Sequence, residues 1–178
     1  IENLNLLTDK PILFVVNVNE SDIIESQKSE LLNQLEEYLD KRNEKFLNIC
    51  TSLEQEISGL KEEEQIEYLK EFQLDEPVLN HLIRTAHKIL SLQTFFTAGA
   101  QEIRAWTIQM NDNAFNAAGK IHTDFQKGFI KAEIYHFEDL LKYKSELGVK
   151  EAGLIKQEGK DYVVKDGDII FFKFNVTN

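Results

Sequence analysis

The feature that most constrains the fold is the uninterrupted apolar run at residues 11–16 (PILFVV), which ends abruptly in a mainly polar loop at residues 17–20 (NVNE). A run of this length without alternation predicts a strand buried on both faces, as in parallel sheets. A second short strand is predicted at residues 45–50, and it again ends in polar residues, Thr51 and Ser52. Apolar residues recur at helical spacing between the two, up to about Arg42. We therefore predict a parallel strand–helix–strand unit.

Local signals place further helices in this first half. Asp22, followed three residues later by Glu25, resembles a capping box and predicts the start of the first helix. Two more helices are expected at residues 61–72 and 78–90, and the second of these follows Pro77.

Short strand patterns dominate from Leu92 onward. In chain order, we predict a strand pair at 93–97 and 104–108, a helix from Asn113 to Lys120, a strand at 129–136, and a hairpin of 162–164 with 169–174. Gly167 lies in the turn of that hairpin. This order of elements is that of a small β-grasp domain.

The charge is distributed unevenly along the 178 residues, whose formal net charge is −11. Residues 1–91 carry −10 and residues 92–178 carry −1, and we expect a domain boundary there. An acidic chain does not attract nucleic acid or anionic membrane through its long-range field, so any such contact must be local. We expect no DNA or membrane partner. A single cysteine and the lack of a signal peptide or long apolar span predict a cytoplasmic protein.

Several kinds of chemistry are not encoded. No G-x-x-x-x-G-K-S/T motif occurs, and His81 and His87 lie on different sides of one predicted helix, so we predict no phosphate-binding loop and no metal site. Cys50, at the end of an apolar strand, is expected to be a small core residue. The sequence His122-Thr123-Asp124 fits an acid–base dyad, but a helix-to-strand corner whose side chains bond the backbone is favoured. We predict no catalytic residue.

The polar residues that follow the two strands are more informative. Ligands bind beyond the carboxyl ends of strands in open α/β sheets, so residues 17–20 and 51–52 are expected side by side at a binding edge. The Asn17 amide offers the donor and the acceptor that a purine edge requires. An ordinary strand-end loop capped by Asn and Ser accounts for the same spacing.

Six stretches that span almost the whole chain resemble the C-terminal half of the YchF family, the Obg-like ATPases. They are residues 10–20 (KPILFVVNVNE), 49–57 (ICTSLEQEI), 76–92 (EPVLNHLIRTAHKILSL), 93–107 (QTFFTAGAQEIRAWT), 117–133 (AAGKIHTDFQKGFIKAE) and 158–176 (EGKDYVVKDGDIIFFKFNV). The resemblance implies that residues 1–91 are the C-terminal half of a P-loop G domain, an α/β remnant with parallel strands and helices. Residues 92–178 are then an α+β, β-grasp (ubiquitin-like) TGS domain.

The resemblance also implies a nucleotide. The family alters the guanine-reading N-K-x-D motif, and the corresponding positions here run from Asn17 to Glu20. The Asn17 side chain and the Val18 amide are expected to meet the N6 amine and N1 of adenine, which favours ATP over GTP. Thr51 and Ser52 are expected to support the base. The phosphate-binding loop and Mg²⁺ ligands are expected N-terminal to Ile1, so this chain alone should not hydrolyse ATP.

For the second half, the resemblance implies contact with the ribosome or ribosomal RNA. A local patch is expected from Arg104, Lys120, His122, Asp124, Lys127 and Lys131, with Phe125 and Phe129 interleaved. A solvated face with buried aromatic rings accounts for the same residues. The leading hypothesis is a ribosome-associated ATPase, and the alternative is a stand-alone TGS-type RNA- or ribosome-binding module without nucleotide hydrolysis.

Overall fold

A computed structural model of the chain describes residues 6–7, 10–24, 28–99 and 102–175. The chain forms two compact units, Ile1–Leu90 and Ser91–Asn178, both built from helices and strands. In the ranges just given, no helix has both the length and the apolar character that crossing a bilayer requires. The helices and strands give an α/β architecture, with one parallel strand pair in the first unit and one mixed sheet in the second.

The first unit alternates strands and helices. Its elements are β1 (Leu13–Asn17), α1 (Glu20–Ile23), α2 (Glu30–Lys41), β2 (Lys45–Ile49), α3 (Thr51–Gly59), α4 (Glu62–Glu71) and α5 (Val78–Ile89). β1 and β2 pair in parallel, with Leu13 opposite Lys45 and Asn17 opposite Ile49. The predicted parallel strand–helix–strand unit is confirmed, and so are the two later helices.

The expectation that β1 is buried on both faces is wrong for this structure. Phe14 is 39% exposed and Val15 is 48% exposed. The reason is that the sheet of this unit has two strands within the described residues, so each face of β1 has few neighbours. The apolar run therefore predicted the strand correctly but did not predict how far its side chains are buried.

The predicted helix start at Asp22 is also wrong, because Asp22 lies within α1 and α2 begins after Ser29. The Ser29 hydroxyl caps α2 by accepting a hydrogen bond from the Leu32 N–H at 3.4 Å. The buried Asp22 carboxylate supports this turn, since it accepts the Ser29 N–H at 2.7 Å. Glu25, the second residue of the expected capping box, lies outside the described residues.

Helix α3 was not predicted, because polar Thr51 and Ser52 at its start suggest a loop. Its buried face consists of Leu53 and Ile57, one turn apart, which pack with Cys50 in a small core cluster. Cys50 is 2% exposed, as expected for a small core residue. Two polar side chains that were assigned to a loop therefore lie in the first turn of a helix.

The second unit is a five-stranded mixed sheet with helices. Its elements are β3 (Leu92–Ala98), β4 (Ile103–Gln109), α6 (Ala114–Ile121), α7 (Thr123–Lys127), β5 (Phe129–His136), α8 (Phe137–Tyr143), α9 (Glu146–Glu151), β6 (Lys156–Glu158) and β7 (Asp168–Phe174). The strand order is β4-β3-β7-β5-β6, in which β3 and β7 are parallel and the other neighbours are antiparallel. Buried side chains of α6 and of the sheet form the main core.

Most predicted elements of this unit are present. The strand pair β3–β4 and the strand β5 are confirmed, and Asn113 caps α6 by accepting the Asn116 N–H at 2.9 Å. The predicted closing hairpin is wrong. Residues 162–164 form no strand of the sheet, and Val163 makes an isolated bridge to Asn113.

The side chain of Asp168 explains why the chain turns here instead of forming a hairpin. The Asp168 carboxylate accepts hydrogen bonds from the Tyr162 hydroxyl at 2.9 Å and from the Lys165 N–H at 2.8 Å. Gly167, at φ +84°, donates its N–H to the Thr94 carbonyl at 2.8 Å. The turn thereby directs β7 between β3 and β5.

Candidate functional site

The ends of β1 and β2 bring five predicted site residues together, which we call the strand-end cluster: Asn17, Val18, Glu20, Thr51 and Ser52. The Asn17 Oδ1 atom accepts hydrogen bonds from the Thr51 N–H at 3.3 Å and from the Thr51 hydroxyl at 3.2 Å. Parallel pairing causes this proximity, because both strands end at the same edge. The two contacts fix the orientation of the Asn17 carboxamide.

The acidic residue of the cluster is engaged as well. The Ser52 hydroxyl donates to Glu20 Oε1 at 3.2 Å, and the same hydroxyl lies 3.1 Å from the Cys50 sulfur. One carboxylate oxygen of Glu20 therefore already accepts a hydrogen bond from the opposite segment. Thr51 and Ser52 occupy the first turn of α3, which corrects their expected place in a loop.

The geometry also corrects the expected role of Val18. Its backbone N–H donates to the Ile49 carbonyl at 2.9 Å, so this N–H cannot also meet N1 of adenine. Both lone pairs of Asn17 Oδ1 are directed to Thr51. In the part of the chain that is described, the Asn17 Nδ2 group makes no hydrogen bond, so it is the group of this side chain that can donate to a ligand.

A cleft of about 610 Å³ lies next to the cluster and is lined by Ser52, Gln55, Glu56, Gly59, Leu60 and Tyr68. The Tyr68 hydroxyl donates to the Glu56 carboxylate, and this hydrogen bond raises the pKa of Tyr68 to about 12. The lining contains a carboxylate and no cation, so it suits a neutral ring better than a phosphate group. Its volume is typical of small-ligand sites.

In the second unit, the structure divides the predicted RNA-contact residues between two faces of the sheet. Ala132 and Ile134 of β5 pack in the core with α6, so the alternating Lys131 and Glu133 face the other side. There, Lys131 donates to Gln157 Oε1 at 2.8 Å. Lys120, His122, Asp124 and Lys127 lie on α6 and α7 or between them. The six residues therefore do not form one patch.

The corner at His122 is a helix cap. His122 Nδ1 accepts the Asp124 N–H at 3.2 Å and lies 3.4 Å from the Asp124 carboxylate. Because Nδ1 accepts this backbone hydrogen bond, it does not donate to the Asp124 carboxylate as an acid–base dyad requires. The favoured interpretation as a corner agrees with this geometry, although His122 makes the backbone contact rather than Thr123 or Asp124.

The two aromatic rings expected within the patch are engaged in packing. Phe129 is buried in the core, and Phe125 stacks on Phe174 with ring centroids 3.9 Å apart. Sequence reasoning missed Trp106, whose ring lies 4.5 Å below the Arg104 guanidinium group. The alternation Arg104–Trp106 along β4 was the available signal, because residues two apart share a face of a strand.

No group of three or more His, Cys, Asp or Glu side chains that could hold a metal ion is found among the residues described.

Comparison with known proteins agrees with this architecture. Residues 92–175 match a family model named YchF-GTPase_C and described as "Protein of unknown function (DUF933)". The chain is 48% identical over 176 residues to the "Ribosome-binding ATPase YchF" of Escherichia coli O157:H7, covering 99% of this chain and 48% of that protein. It is 44% identical over 176 residues to the protein of the same name from Bacillus subtilis, again covering 99% of this chain and 48% of the relative.

A solved structure is similar as well. The Schizosaccharomyces pombe YchF GTPase superimposes with a TM-score of 0.84 at 36% identity, covering 96% of this chain and 45% of that one. The fold is thus that of an α/β protein with a parallel strand pair and a mixed sheet. The chain belongs to the YchF family. It spans about half the length of the curated relatives it matches.

Proposed function

We propose that this chain is the C-terminal region of a YchF-type ATPase, in which the first unit recognises adenine and the second contacts the ribosome. The observation that carries the first part is the double contact between Asn17 Oδ1 and Thr51. It holds the carboxamide with its oxygen engaged and its Nδ2 group available to a ligand. The orientation of a base-recognition group is therefore set before any nucleotide binds.

The preference for adenine follows from which groups remain available. An Nδ2 donor can bond N1 of adenine, but it can equally bond O6 of guanine, so the discrimination depends on the guanine N1–H, which adenine lacks. Recognition of guanine needs a carboxylate directed at that N1–H and at the exocyclic amine. One oxygen of Glu20 is instead bonded to the Ser52 hydroxyl. ATP is accordingly the proposed nucleotide, and GTP the weaker one.

We further propose that the first unit is half of a P-loop G domain. The parallel pairing of β1 and β2 and the exposed Phe14 and Val15 support this assignment, because a larger parallel sheet would cover such a strand. A phosphate cradle and Mg²⁺ ligands would come from segments that the longer relatives contain. The phosphate cradle and the Mg²⁺ ligands would support phosphoryl transfer, and this unit would contribute the binding of the base.

The second unit is proposed to be a β-grasp TGS domain that contacts the ribosome. Numbered within the unit, its strands lie in the order second, first, fifth, third, fourth, with the first and fifth parallel. This arrangement supports a β-grasp assignment. The relatives are named ribosome-binding ATPases, and this supports a ribosomal partner and a cytoplasmic location.

Two measurements on the full-length protein from the same gene test the proposal. Calorimetric titration should give tighter binding of ATP than of GTP, and co-sedimentation should show association with ribosomes. Equal or tighter binding of GTP would contradict the adenine assignment. The 178-residue chain alone provides the comparison for the second unit, since ribosome association that needs only this chain would favour a binding module that works without hydrolysis.

A further inference from the structure

The sheet of the second unit ends in two edges that differ in length and regularity. One edge is β6, which is three residues long and begins with a lysine. The other is β4, a strand of seven residues that pairs with β3 over its whole length without a bulge. Natural sheets protect open edges with short strands, lysines, prolines or bulges. β6 has the first two of these features, whereas β4 presents a long and regular edge.

The hydrogen bonds at the two ends of the β3–β4 ladder show which backbone groups of β4 face β3. The Gly99 N–H donates to the Glu102 carbonyl at 2.9 Å, and the Met110 N–H donates to the Ser91 carbonyl at 2.7 Å. Both bonds continue the register of the ladder, and hydrogen-bonded positions alternate along antiparallel strands. The residues of β4 whose backbone groups face β3 are therefore Arg104, Trp106 and Ile108.

The remaining residues of β4 direct their backbone N–H and C=O groups away from the sheet: Ile103, Ala105, Thr107 and Gln109. Gln109 is paired locally, because its N–H donates to the Asp112 carboxylate at 3.1 Å and its carbonyl accepts the Asp112 N–H at 3.1 Å. For the other three residues, the outward groups make no hydrogen bond within the part of the chain that the structure describes. All three residues are exposed, and we call them the β4 edge.

The side chains of the β4 edge favour pairing with another strand. Isoleucine and threonine are β-branched, alanine is small, and none of the three carries a charge. The charged side chain of β4 is Arg104, which lies on the other face of the strand and covers the Trp106 ring at 4.5 Å. It therefore does not hinder the approach of a strand in the way that a lysine on the edge would.

We propose that the β4 edge pairs antiparallel with the same edge of a second copy of this chain, about a two-fold axis at Ala105. In this register Ala105 lies opposite the second copy's Ala105, and Ile103 lies opposite the second copy's Thr107. Each of these pairs exchanges two backbone hydrogen bonds, so every outward group of the edge is paired. The two five-stranded sheets then form one continuous sheet. The inference does not depend on the proposed nucleotide or ribosome contact.

Two features favour a second copy over a strand of another protein. About the axis at Ala105, Arg104 lies opposite the second copy's Trp106, an arrangement that allows a cation–π contact and brings no like charges together. Residues 92–178 carry a net charge of only −1, so two copies of this unit repel each other little. A contact about a two-fold axis closes after two copies, and the expected product is a dimer rather than a fibre.

Analytical ultracentrifugation of the full-length protein from the same gene tests the pairing. We expect a concentration-dependent equilibrium between monomer and dimer. Ala105→Lys places two lysines opposite each other at the axis and should raise the dissociation constant by about fivefold or more. Ile130→Lys is the matched control, because Ile130 is an exposed residue of the interior strand β5 and the change in charge is the same. This control should dimerise like the parent.

Two outcomes of the centrifugation would overturn the inference. A monomer at all concentrations would show that the β4 edge does not pair with itself. A dimer that Ala105→Lys leaves unchanged would show that another surface holds the two copies together. Circular dichroism of each variant distinguishes a weakened contact from a failure to fold.

Cross-linking tests the register independently. Opposed residues of a hydrogen-bonded pair have Cα atoms about 5.5 Å apart, within the range that a disulfide spans. Ala105→Cys should therefore give a disulfide-linked dimer on mild oxidation. Thr107→Cys is the control on the same edge, since the two copies of Thr107 are separated by about 14 Å along the strands. The parent, whose Cys50 is buried, measures the background. Equal yields for Ala105→Cys and Thr107→Cys would contradict the axis at Ala105.

Discussion

Asn17 Oδ1 lies 3.3 Å from the backbone nitrogen of Thr51 and accepts its hydrogen bond. The contact joins the end of β1 to the first turn of α3, across 34 residues of sequence. It connects residues 17–20 and residues 51–52, the two polar segments that follow the predicted strands. The same oxygen accepts the Thr51 hydroxyl, so the side chain has both a structural partner and an available donor. These two roles can be separated by mutation.

Asn17→Asp should separate them in the full-length protein. The carboxylate keeps an acceptor for Thr51 but lacks the Nδ2 donor, so ATP affinity should fall by about tenfold while the unfolding midpoint changes little. Asn17→Ala removes both and should also lower the unfolding midpoint. Calorimetric titration with ATP and GTP measures the effect. If both nucleotides lost affinity equally in Asn17→Asp, the side chain would have no role in discriminating the bases.

The lysines of the second unit should differ in their effect on ribosome binding. Changing Lys120 and Lys127 together to Glu should weaken co-sedimentation and reduce the salt slope by about two, one for each phosphate that is no longer neutralised. Lys131→Glu should have a smaller effect, because Lys131 faces the other side of the sheet and bonds Gln157. Co-sedimentation at several salt concentrations measures this. A larger reduction in binding from Lys131→Glu would place the ribosome contact on the opposite face.

Gly128→Ala should destabilise the second unit. Gly128 follows α7 and accepts the Asn175 N–H at 2.9 Å, and a Cβ atom at this position would overlap the Asn175 carbonyl. We expect a decrease of about 1–3 kcal/mol in the free energy of unfolding, the cost of overpacking. Gly159→Ala is the control, since a Cβ there meets nothing within 4 Å. Urea denaturation measures the stability of both variants. Equal stability of Gly128→Ala and Gly159→Ala would contradict the close approach of Gly128 to the Asn175 carbonyl.

Tyr162→Phe should destabilise the protein by about 1 kcal/mol at neutral pH, through loss of the hydrogen bond to the buried Asp168. Burial, and then this hydrogen bond, raises the pKa of Tyr162 above its ordinary value of 10.0. Above pH 10 the unfolded chain therefore releases this proton before the folded chain does, and stability falls. The fall should be steeper in the parent than in Tyr162→Phe. Identical slopes in urea denaturation at alkaline pH would show that the phenol does not contribute.

Sequence patterns predicted the elements whose apolar residues repeat regularly along the chain. Ile130, Ala132 and Ile134 alternate with Lys131, Glu133 and Tyr135 in β5, although Ile130 is exposed and the register is irregular between Phe129 and Lys131. Helix α5 follows Pro77 with apolar residues at helical spacing. Helix α3 was missed because Leu53 and Ile57 alone form its buried face and its first two residues are polar. The expected closing hairpin was wrong because the Asp168 carboxylate organises the preceding turn, a contact between side chain and backbone that periodicity does not report.

The candidate site was predictable in its location but not in its hydrogen bonding. The rule that parallel strands end at one edge brought Asn17 and Thr51 together correctly. The rule does not say which backbone N–H groups form hydrogen bonds between the two strands. The hydrogen bond from the Val18 N–H to the Ile49 carbonyl is therefore seen only in the structure. Likewise, the spacing of lysines does not show that Lys131 lies on the other face from α6, which depends on the strand register.

The position of β7 has a consequence for how the second unit is made. A ribosome releases β3 first and β7 last, yet β7 lies between β3 and β5. During synthesis the β3–β4 hairpin and β5 therefore emerge without the strand that joins them, and their inner edges stay unpaired. A nascent chain that stops before Asp168 would present two open sheet edges to chaperones and proteases. Folding of this unit is thus tied to completion of its translation.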